Sequence, residues 1–468
     1  MDSNADSTNA QQCPSYWVRF VPKIDTRGPN WKPDDECWRD EIEPRIAALI
    51  QAEHVGLLVG SGLTRAIARA VGVGIHGMER PELQSVLGPG IAKVANDSAA
   101  AMGRGKANIE DDIRAITQLI GGLDIIAAAG AVGVQGPCTQ RAGNLSYELW
   151  LELNGIMVEF AARILNTEQG IRARLQPRDD EGDQVELANN VRRLLCSFLL
   201  TFASRTASRD RLHVFTTNYD RLLELACDLA GIHILDRFVG SIEPVFRSGR
   251  IGLDLHYCPP GIRGEPRYVE GVVRLTKLHG SLDWRFERGL SGRSEVIRVP
   301  LPFGADPRDL YEKHDGVGII IYPNAAKDVE TLEYPYADLF RDFAAAACQP
   351  NSVIVTYGYG FGDDHINRVL RDMLTIPSTH LLIMAYDDAD NRIRRFDDIV
   401  GRPAQVSILV GPEFASLDRL VGQYLPKPAI DNVTWRLAEI VERRASVARG
   451  LEEMNNRNKS SSEPGDPQ

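Results

Sequence analysis

The sequence predicts an α/β protein: a Rossmann-like parallel sheet with helices on both faces, plus an inserted helical subdomain. Three observations lead there. Short, near-continuous apolar runs recur along the chain, as in HVGLLVGSG at 54–62, SVIVTYGYG at 352–360 and AQVSILVG at 404–411. Runs of that kind are the mark of strands buried on both faces, as in a parallel sheet. Amphipathic helical patterns follow several of them. Finally, the stretch from about 80 to 210 has few strand signals and strong helical periodicity, which reads as an insertion.

Taken in order, DECWRDEIEPRIAALIQA at 35–52 is helical in pattern apart from one proline, and 54–62 is a strand ending in Gly-Ser-Gly, with a helix from about Leu63. Within the helical stretch, Ile109, Ile113, Ile116 and Ile120 of NIEDDIRAITQLI recur at helical spacing behind an acidic first turn. The segments 147–165 and 185–204 are equally periodic. HVFTT at 213–217 is a strand, and a helix is expected from Tyr219 or Asp220. VVRLTKLHGSLDW at 272–284 reads as extended, 285–315 as loop, and GVGIIIYP at 316–323 as a buried strand. The run 352–360 precedes a helix opening in DDHINRVLRDML. HLLIMAYDD at 380–388 and 404–411 complete the set. The expected organisation is a disordered N-terminus at 1–15, a main domain at 16–425 with the insertion at about 80–210, a C-terminal helix at 426–453 and a disordered Ser/Pro/Asn-rich tail at 454–468.

The totals narrow the function class. The 468 residues are 43% hydrophobic and 25% charged, as in an ordinary soluble globular protein. With 64 acidic against 53 basic residues, the net charge of -11 is a poor match for non-specific nucleic-acid binding. The 7 cysteines form no C-x-x-C pair, so neither a zinc module nor a disulfide framework is suggested, and the scatter fits a reducing cytoplasm. The N-terminus lacks the basic start and apolar core of a signal peptide. The low-charge run LDIIAAAGAVGVQG at 123–136 is short for a membrane span. The expected location is cytoplasmic.

Four polar clusters fall at strand ends, where doubly wound sheets bind ligands. They are Gly60-Ser61-Gly62, Thr216-Thr217-Asn218-Tyr219-Asp220, His279-Gly280-Ser281 and Gly358-Tyr359-Gly360-Phe361-Gly362-Asp363-Asp364. Each also has a plain structural reading. Gly-Ser-Gly before a helix cradles a phosphate or simply makes a tight turn, and Arg65 stands where a third glycine of the dinucleotide fingerprint would be. Asn218, Asp220, Asp363 and Asp364 are all good helix caps. His279 is a ligand-facing or a core histidine. The pairs Asp111-Asp112, Asp179-Asp180 and Asp387-Asp388 read better as capping or solvated carboxylates than as a nuclease metal site.

Together the clusters resemble the sirtuin family, and more closely its bacterial NAD-cleaving branch in anti-phage defence. Gly60-Ser61-Gly62-Leu63-Thr64 is similar to the family's Gly-Ala-Gly-Ile-Ser loop, Thr216-Thr217-Asn218-Tyr219-Asp220 to Thr-Gln-Asn-Ile-Asp, and Leu278-His279-Gly280-Ser281 to Leu-His-Gly-Ser. Gly358-Tyr359-Gly360-Phe361-Gly362-Asp363 resembles the branch's Gly-Tyr-Ser-Phe-x-Asp element, with Gly360 where serine is usual. The motifs keep the family's order over roughly 54–411. The two C-x-x-C pairs of classical deacylases, which follow the histidine motif, have no counterpart here.

The resemblance implies NAD+ as substrate, no zinc, and cleavage to nicotinamide and ADP-ribose. It implies Asn218 and His279 as catalytic residues, with Gly60, Ser61, Gly62, Thr64, Thr217, Asp220, Gly280, Ser281, Gly358, Tyr359, Gly360, Phe361 and Asp363 around the dinucleotide. It also implies control by self-association or by a HerA-type hexameric ATPase. The chemistry suits the residues. Asn donates and accepts without adding charge, and His is a usable base at neutral pH. An NAD-dependent protein deacylase and a non-catalytic NAD or ADP-ribose sensor are the alternatives. The first conflicts with the missing cysteine pairs, and the second would not need both Asn218 and His279.

Overall fold

Register explains why the polar clusters meet. Adjacent parallel strands pair Val59 with Thr216, Thr216 with Lys277, Val59 with Tyr357, and Tyr357 with Met384. The last residues of these strands therefore lie in one row, and the chain leaves every strand at the same edge.

The computed structural model describes residues 16–20, 24–28, 35–75, 78–102, 105–131, 137–176, 182–205, 209–249, 254–257, 267–288, 294–309, 319–321 and 334–427. The expected N-terminal segment 1–15, the tail 454–468 and, apart from its first two residues, the expected helix 426–453 lie outside them. In chain order the strands are β1 (Tyr16–Phe20), β2 (Ile24–Gly28), β3 (His54–Val59), β4 (His213–Thr216), β5 (His233–Leu235), β6 (Phe238–Val239), β7 (Val245–Phe246), β8 (His256–Tyr257), β9 (Arg267–Tyr268), β10 (Val272–Lys277), β11 (Gly280–Arg288), β12 (Ser294–Arg298), β13 (Ile319–Ile321), β14 (Ser352–Tyr357), β15 (His380–Ala385) and β16 (Val406–Val410). The longer helices are α1 (Asp35–Ile50), α2 (Gly62–Ala70), α3 (Gly88–Ala101), α4 (Ile109–Ala131), α5 (Pro137–Leu175), α6 (Gly182–Ala203), α7 (Leu222–Ala230), α8 (Tyr336–Ala347), α9 (Asp364–Met373) and α10 (Arg392–Val400).

Among the described residues the main sheet has the order β2-β1-β16-β15-β14-β3-β4-β10-β5. From β10 to β16 all neighbours are parallel. Numbered from β3, the run β10-β4-β3-β14-β15-β16 is the doubly wound order 3-2-1-4-5-6, with its reversal between β3 and β14. The apolar runs are buried on both faces, as expected. Val55, Leu57 and Val59 of β3 join one core with α1, α2, α6 and α7, while Leu58 joins the opposite core with α8, α9 and α10. A third core lies among α3, α4 and α5 and reaches Tyr219 and Leu282.

Several sequence readings need correction. β1 and β2 add an antiparallel hairpin to the β16 edge; polar residues in the IDTRG stretch of β2 hid the alternation. VVRLTKLHGSLDW is two strands, not one. β10 ends in the parallel sheet, and β11 begins a second, antiparallel sheet of order β13-β11-β12-β7-β6. The segment read as loop at 285–315 contains the rest of β11 and β12. The described part of GVGIIIYP is β13, which pairs antiparallel with β11 rather than joining the parallel sheet. The helix expected from Tyr219 or Asp220 begins at Leu222. The low-charge run at 123–136 has its first nine residues inside α4, whose segment Ile109–Gly130 is long and apolar enough to cross a membrane by length and composition. In this fold, α4 packs along α5 and buries Asp111 and Asp112 at its start.

Candidate active site

At the reversal between β3 and β14, two loops touch. Gly60 N donates to Tyr357 O at 3.0 Å and Gly62 N to Gly358 O at 3.0 Å. A Cβ on Gly62 would stand 2.4 Å from Gly358 Cα, and one on Gly60 2.5 Å from Gly358 O. The glycines of Gly-Ser-Gly are thus demanded by loop-on-loop contact. Gly358 has φ +60° and Gly280 φ +89°, a region L side chains rarely adopt. Gly280 makes the turn that carries the chain from β10 into β11.

Asn218 is buried in the next loop and is not a cap. Its Nδ2 donates to Gly60 O at 3.1 Å and to Thr64 Oγ1 at 3.2 Å, and its backbone N donates to Thr216 Oγ1 at 3.0 Å. With both amide hydrogens engaged on the β3–α2 loop, Oδ1 is the atom left to accept from a ligand or water. Asp220 fixes that arrangement. Its Oδ2 accepts from Thr64 Oγ1 at 2.7 Å and its Oδ1 from Leu222 N at 3.1 Å. Burial pushes the Asp220 carboxyl above its ordinary pKa, against the opposing pull of Lys277. Asp220 is not the cap itself, since Arg221 holds that position; it stands one residue earlier, closes the turn onto Leu222 N and positions Thr64.

His279 follows β10. Its Nε2 lies 2.8 Å from Asp363 Oδ2. Asp363 is the N-cap of α9, where Oδ1 accepts from His365 N at 3.1 Å. The capping reading of Asp363 holds, and the same carboxylate also holds the imidazole. Tyr359 Oη donates to Asp363 O at 3.2 Å. Burial, together with the nearby Asp363 carboxylate, raises the Tyr359 phenol well above its ordinary pKa and keeps it a donor.

These groups line one cleft of about 300 Å³, at the small end of the ligand-site range. Of the residues singled out from sequence, Gly60, Ser61, Thr64, Thr217, Asn218, Asp220, His279, Tyr359, Gly360 and Asp363 line it. Gly62 and Gly358 line a neighbouring cleft instead, and Gly280, Ser281 and Phe361 line neither. Gly62 and Gly358 are occupied with each other, Ser281 is fully buried, and Phe361 packs its ring on Tyr359 and Phe396. A larger neighbouring cleft of about 1080 Å³ shares Ser61, Arg65, Tyr359, Gly360 and Arg392 with the first and continues past Tyr386 and Asp387 at the end of β15. The exposed Arg65 lies on the border of both clefts.

The facing wall comes from the helical stretch, which sequence motifs did not reach. Met78, Met102, Phe160 and Ile164 make it largely apolar, and Glu110 stands among them. Tyr219 Oη donates to Glu110 Oε1 at 2.9 Å, and the Tyr219 ring sits edge-on to Phe160 at 5.6 Å and 6.2 Å from the His279 ring. A buried ion pair, Arg221 Nη2 to Glu168 Oε2 at 2.5 Å, ties α5 to the loop after β4. The only signal for Glu110 was the acidic first turn of α4, which reads as dipole compensation.

The acidic pairs are accounted for where they are described. Asp111 forms a reciprocal cap with Asn108, at 3.0 and 3.2 Å, and Asp112 takes the Arg80 fork at 2.6 and 2.7 Å. Asp387 accepts from Ala389 N and Asp388 from Arg394 N. Asp179-Asp180 lies outside the described residues. Among the described residues no three His, Cys, Asp or Glu side chains gather as a metal site.

Residues 212–400 match the SIR2-like domain family. That segment holds Asn218, His279 and Asp363, and it is similar to sirtuins, whose domains bind and use NAD+. Gly60, Thr64 and the helical wall precede it. No curated protein matches the chain.

Proposed function

We propose that the protein is an NAD+ hydrolase that cleaves the nicotinamide–ribose bond to give nicotinamide and ADP-ribose. The observation that carries the reading is the meeting of Asn218 and His279 in one cleft at the sheet's reversal, within a segment similar to the SIR2-like domain. The pyrophosphate lies near Arg65 and Arg392, where the two clefts join, and the adenosine end extends along the larger one. The C1′–N bond breaks with its electron pair passing to the ring nitrogen, so nicotinamide leaves neutral and positive charge builds on the ribose. A water held by Asn218 Oδ1 adds at C1′, and its proton passes to solvent by way of His279. Asp363 keeps the imidazole in place for that transfer.

The missing C-x-x-C pairs count against a deacylase, and the presence of both Asn218 and His279 counts against a binding-only sensor. The domain spans 16–425, with 80–210 as a helical insertion. Its role is NAD+ depletion in bacterial anti-phage defence, in the cytoplasm, under control of self-association or a HerA-type ATPase. The test is NAD+ consumption by the purified chain, alone and with the product of its neighbouring gene. Asn218→Ala and His279→Ala are each expected to lower kcat about 10²–10⁴-fold. NAD+ bound but left intact under every condition would sink the hydrolase and favour the sensor.

A further inference from the structure

Glu110 differs from every other carboxylate at the cleft. Asp220 is held by Thr64 and a backbone N–H, Asp363 by His279, and Glu168 by Arg221. Asp364 is exposed at the rim. Glu110 is half-buried, and among the described residues no Lys or Arg pairs with it. Its protein partner is the neutral hydroxyl of Tyr219, at 2.9 Å on Oε1. Burial and the Glu110 charge both raise that phenol well above its ordinary pKa, so it remains a donor.

Its place is fixed. The flanking Asn108–Asp111 cap and the Arg80–Asp112 fork anchor the first turn of α4. Around it the wall is apolar, with Met78, Met102 and Phe160. A charge in such surroundings acts on its neighbours far more strongly than in water. Arg65 and Arg392 border both clefts, whereas Glu110 lines only the smaller one. The site is therefore polarised, with cations where the clefts join and, within the smaller cleft alone, a carboxylate that no Lys or Arg pairs with among the described residues.

We infer that Glu110 is a substrate-contacting residue that recognises the positive charge of the oxidised dinucleotide, on the pyridinium ring at first and on the ribose as the C1′–N bond opens. This deepens the NAD+-cleaving reading and rests on it. Tyr219 is the positioning residue that holds Glu110. NAD+ carries the cationic ring and NADH does not, so Glu110 selects between them in binding as well as in turnover.

The experiment pairs binding with kinetics on the full chain. Binding of the non-hydrolysable carba-NAD+ and of its reduced form is measured by calorimetry for the wild type, Glu110→Gln and Tyr219→Phe. Glu110→Gln keeps the shape and an acceptor for Tyr219 but removes the charge. The wild type is expected to favour the oxidised analogue about five- to tenfold, and Glu110→Gln to bring that ratio close to one. Its kcat on NAD+ should fall by about tenfold or more, and Tyr219→Phe should give a smaller change in the same direction. An unchanged oxidised-to-reduced ratio in a folded Glu110→Gln, with wild-type cleavage intact, overturns the inference and leaves the hydrolase standing. Failure of the wild type, alone and with the product of its neighbouring gene, to bind either analogue or to cleave NAD+ overturns both.

Discussion

The strand-end wall of the cleft is made largely of backbone and polar side chains, whereas the helical wall facing it is made of large apolar side chains and two carboxylates, Glu110 and the Arg221-paired Glu168. The first tolerates almost no change in volume. Gly60, Gly62 and Gly358 touch at distances where a single methyl has no room, and Asn218 is oriented by the Asp220–Thr64 relay. The second is assembled as cores usually are, by apolar side chains that yield and repack. On the proposed reading, the chemistry that needs fixed dipoles falls to the strand-end wall and recognition of a diffuse charge to the helical wall.

Acid offers the largest test of that contrast, because the sheet half carries two neutral imidazoles. Burial, reinforced by Arg274 and Arg237, lowers the pKa of His213 to about 3, and burial with Arg19 lowers that of His380 to about 4. The unfolded chain protonates both near pH 6.5, so stability is full above that pH and is lost as pH falls toward the folded values. Each histidine is expected to remove about 2 kcal/mol by pH 5, roughly 4 kcal/mol together. Urea unfolding at pH 7 and pH 5 measures this, and equal midpoints would refute it.

Next in size is a matched pair of single-methyl changes. Gly62→Ala forces Gly358 away and is expected to cost about 1–3 kcal/mol and to depress kcat/KM as the loops separate. Ile164→Val on the helical wall should cost about 0.5–1.5 kcal/mol and leave kcat nearly unchanged. Equal losses would erase the difference between the walls. The smallest effect is expected at Gly360, where an added Cβ meets only Arg392 Nη2, at 3.6 Å. Gly360→Ser should leave stability within about 0.5 kcal/mol and lower the KM for NAD+ about two- to fivefold through one new hydrogen bond. A raised KM would show that the position does not face the dinucleotide.

The same contrast explains what could be read from the sequence. Gly60, Asn218, His279 and Asp363 were legible because steric and hydrogen-bonding demands at strand ends admit few residue types. The parallel sheet was legible because burial on both faces leaves unbroken apolar runs. Glu110 and Tyr219 were not, since a glutamate in a helix's first turn and a tyrosine after an asparagine each have ordinary local explanations. Their meeting depends on how α4, packed along α5, is set against the loop after β4, which no periodicity encodes. The end of β11 and the whole of β12 were missed although Leu282, Trp284 and Phe286 alternate with Asp283, Arg285 and Glu287, because the stretch from 285 on is rich in Arg, Pro and Gly; β2 was missed because IDTRG is mostly polar. Gly280 and Ser281 were assigned to the ligand through the motif, although their geometry serves the turn into β11 and the interior.

The backbone contact between Gly62 and Gly358 has a kinetic consequence. Two of the three lips of the cleft are locked together through main-chain atoms and cannot part without breaking the sheet's edge. The proposed dinucleotide would still have to enter and its products leave. Any widening of the mouth therefore falls to the helical wall, where it has to break or carry along the Tyr219–Glu110 hydrogen bond and the Arg221–Glu168 ion pair. On the proposed reading, exchange of substrate and products is paced by those two contacts and not by the glycine loops.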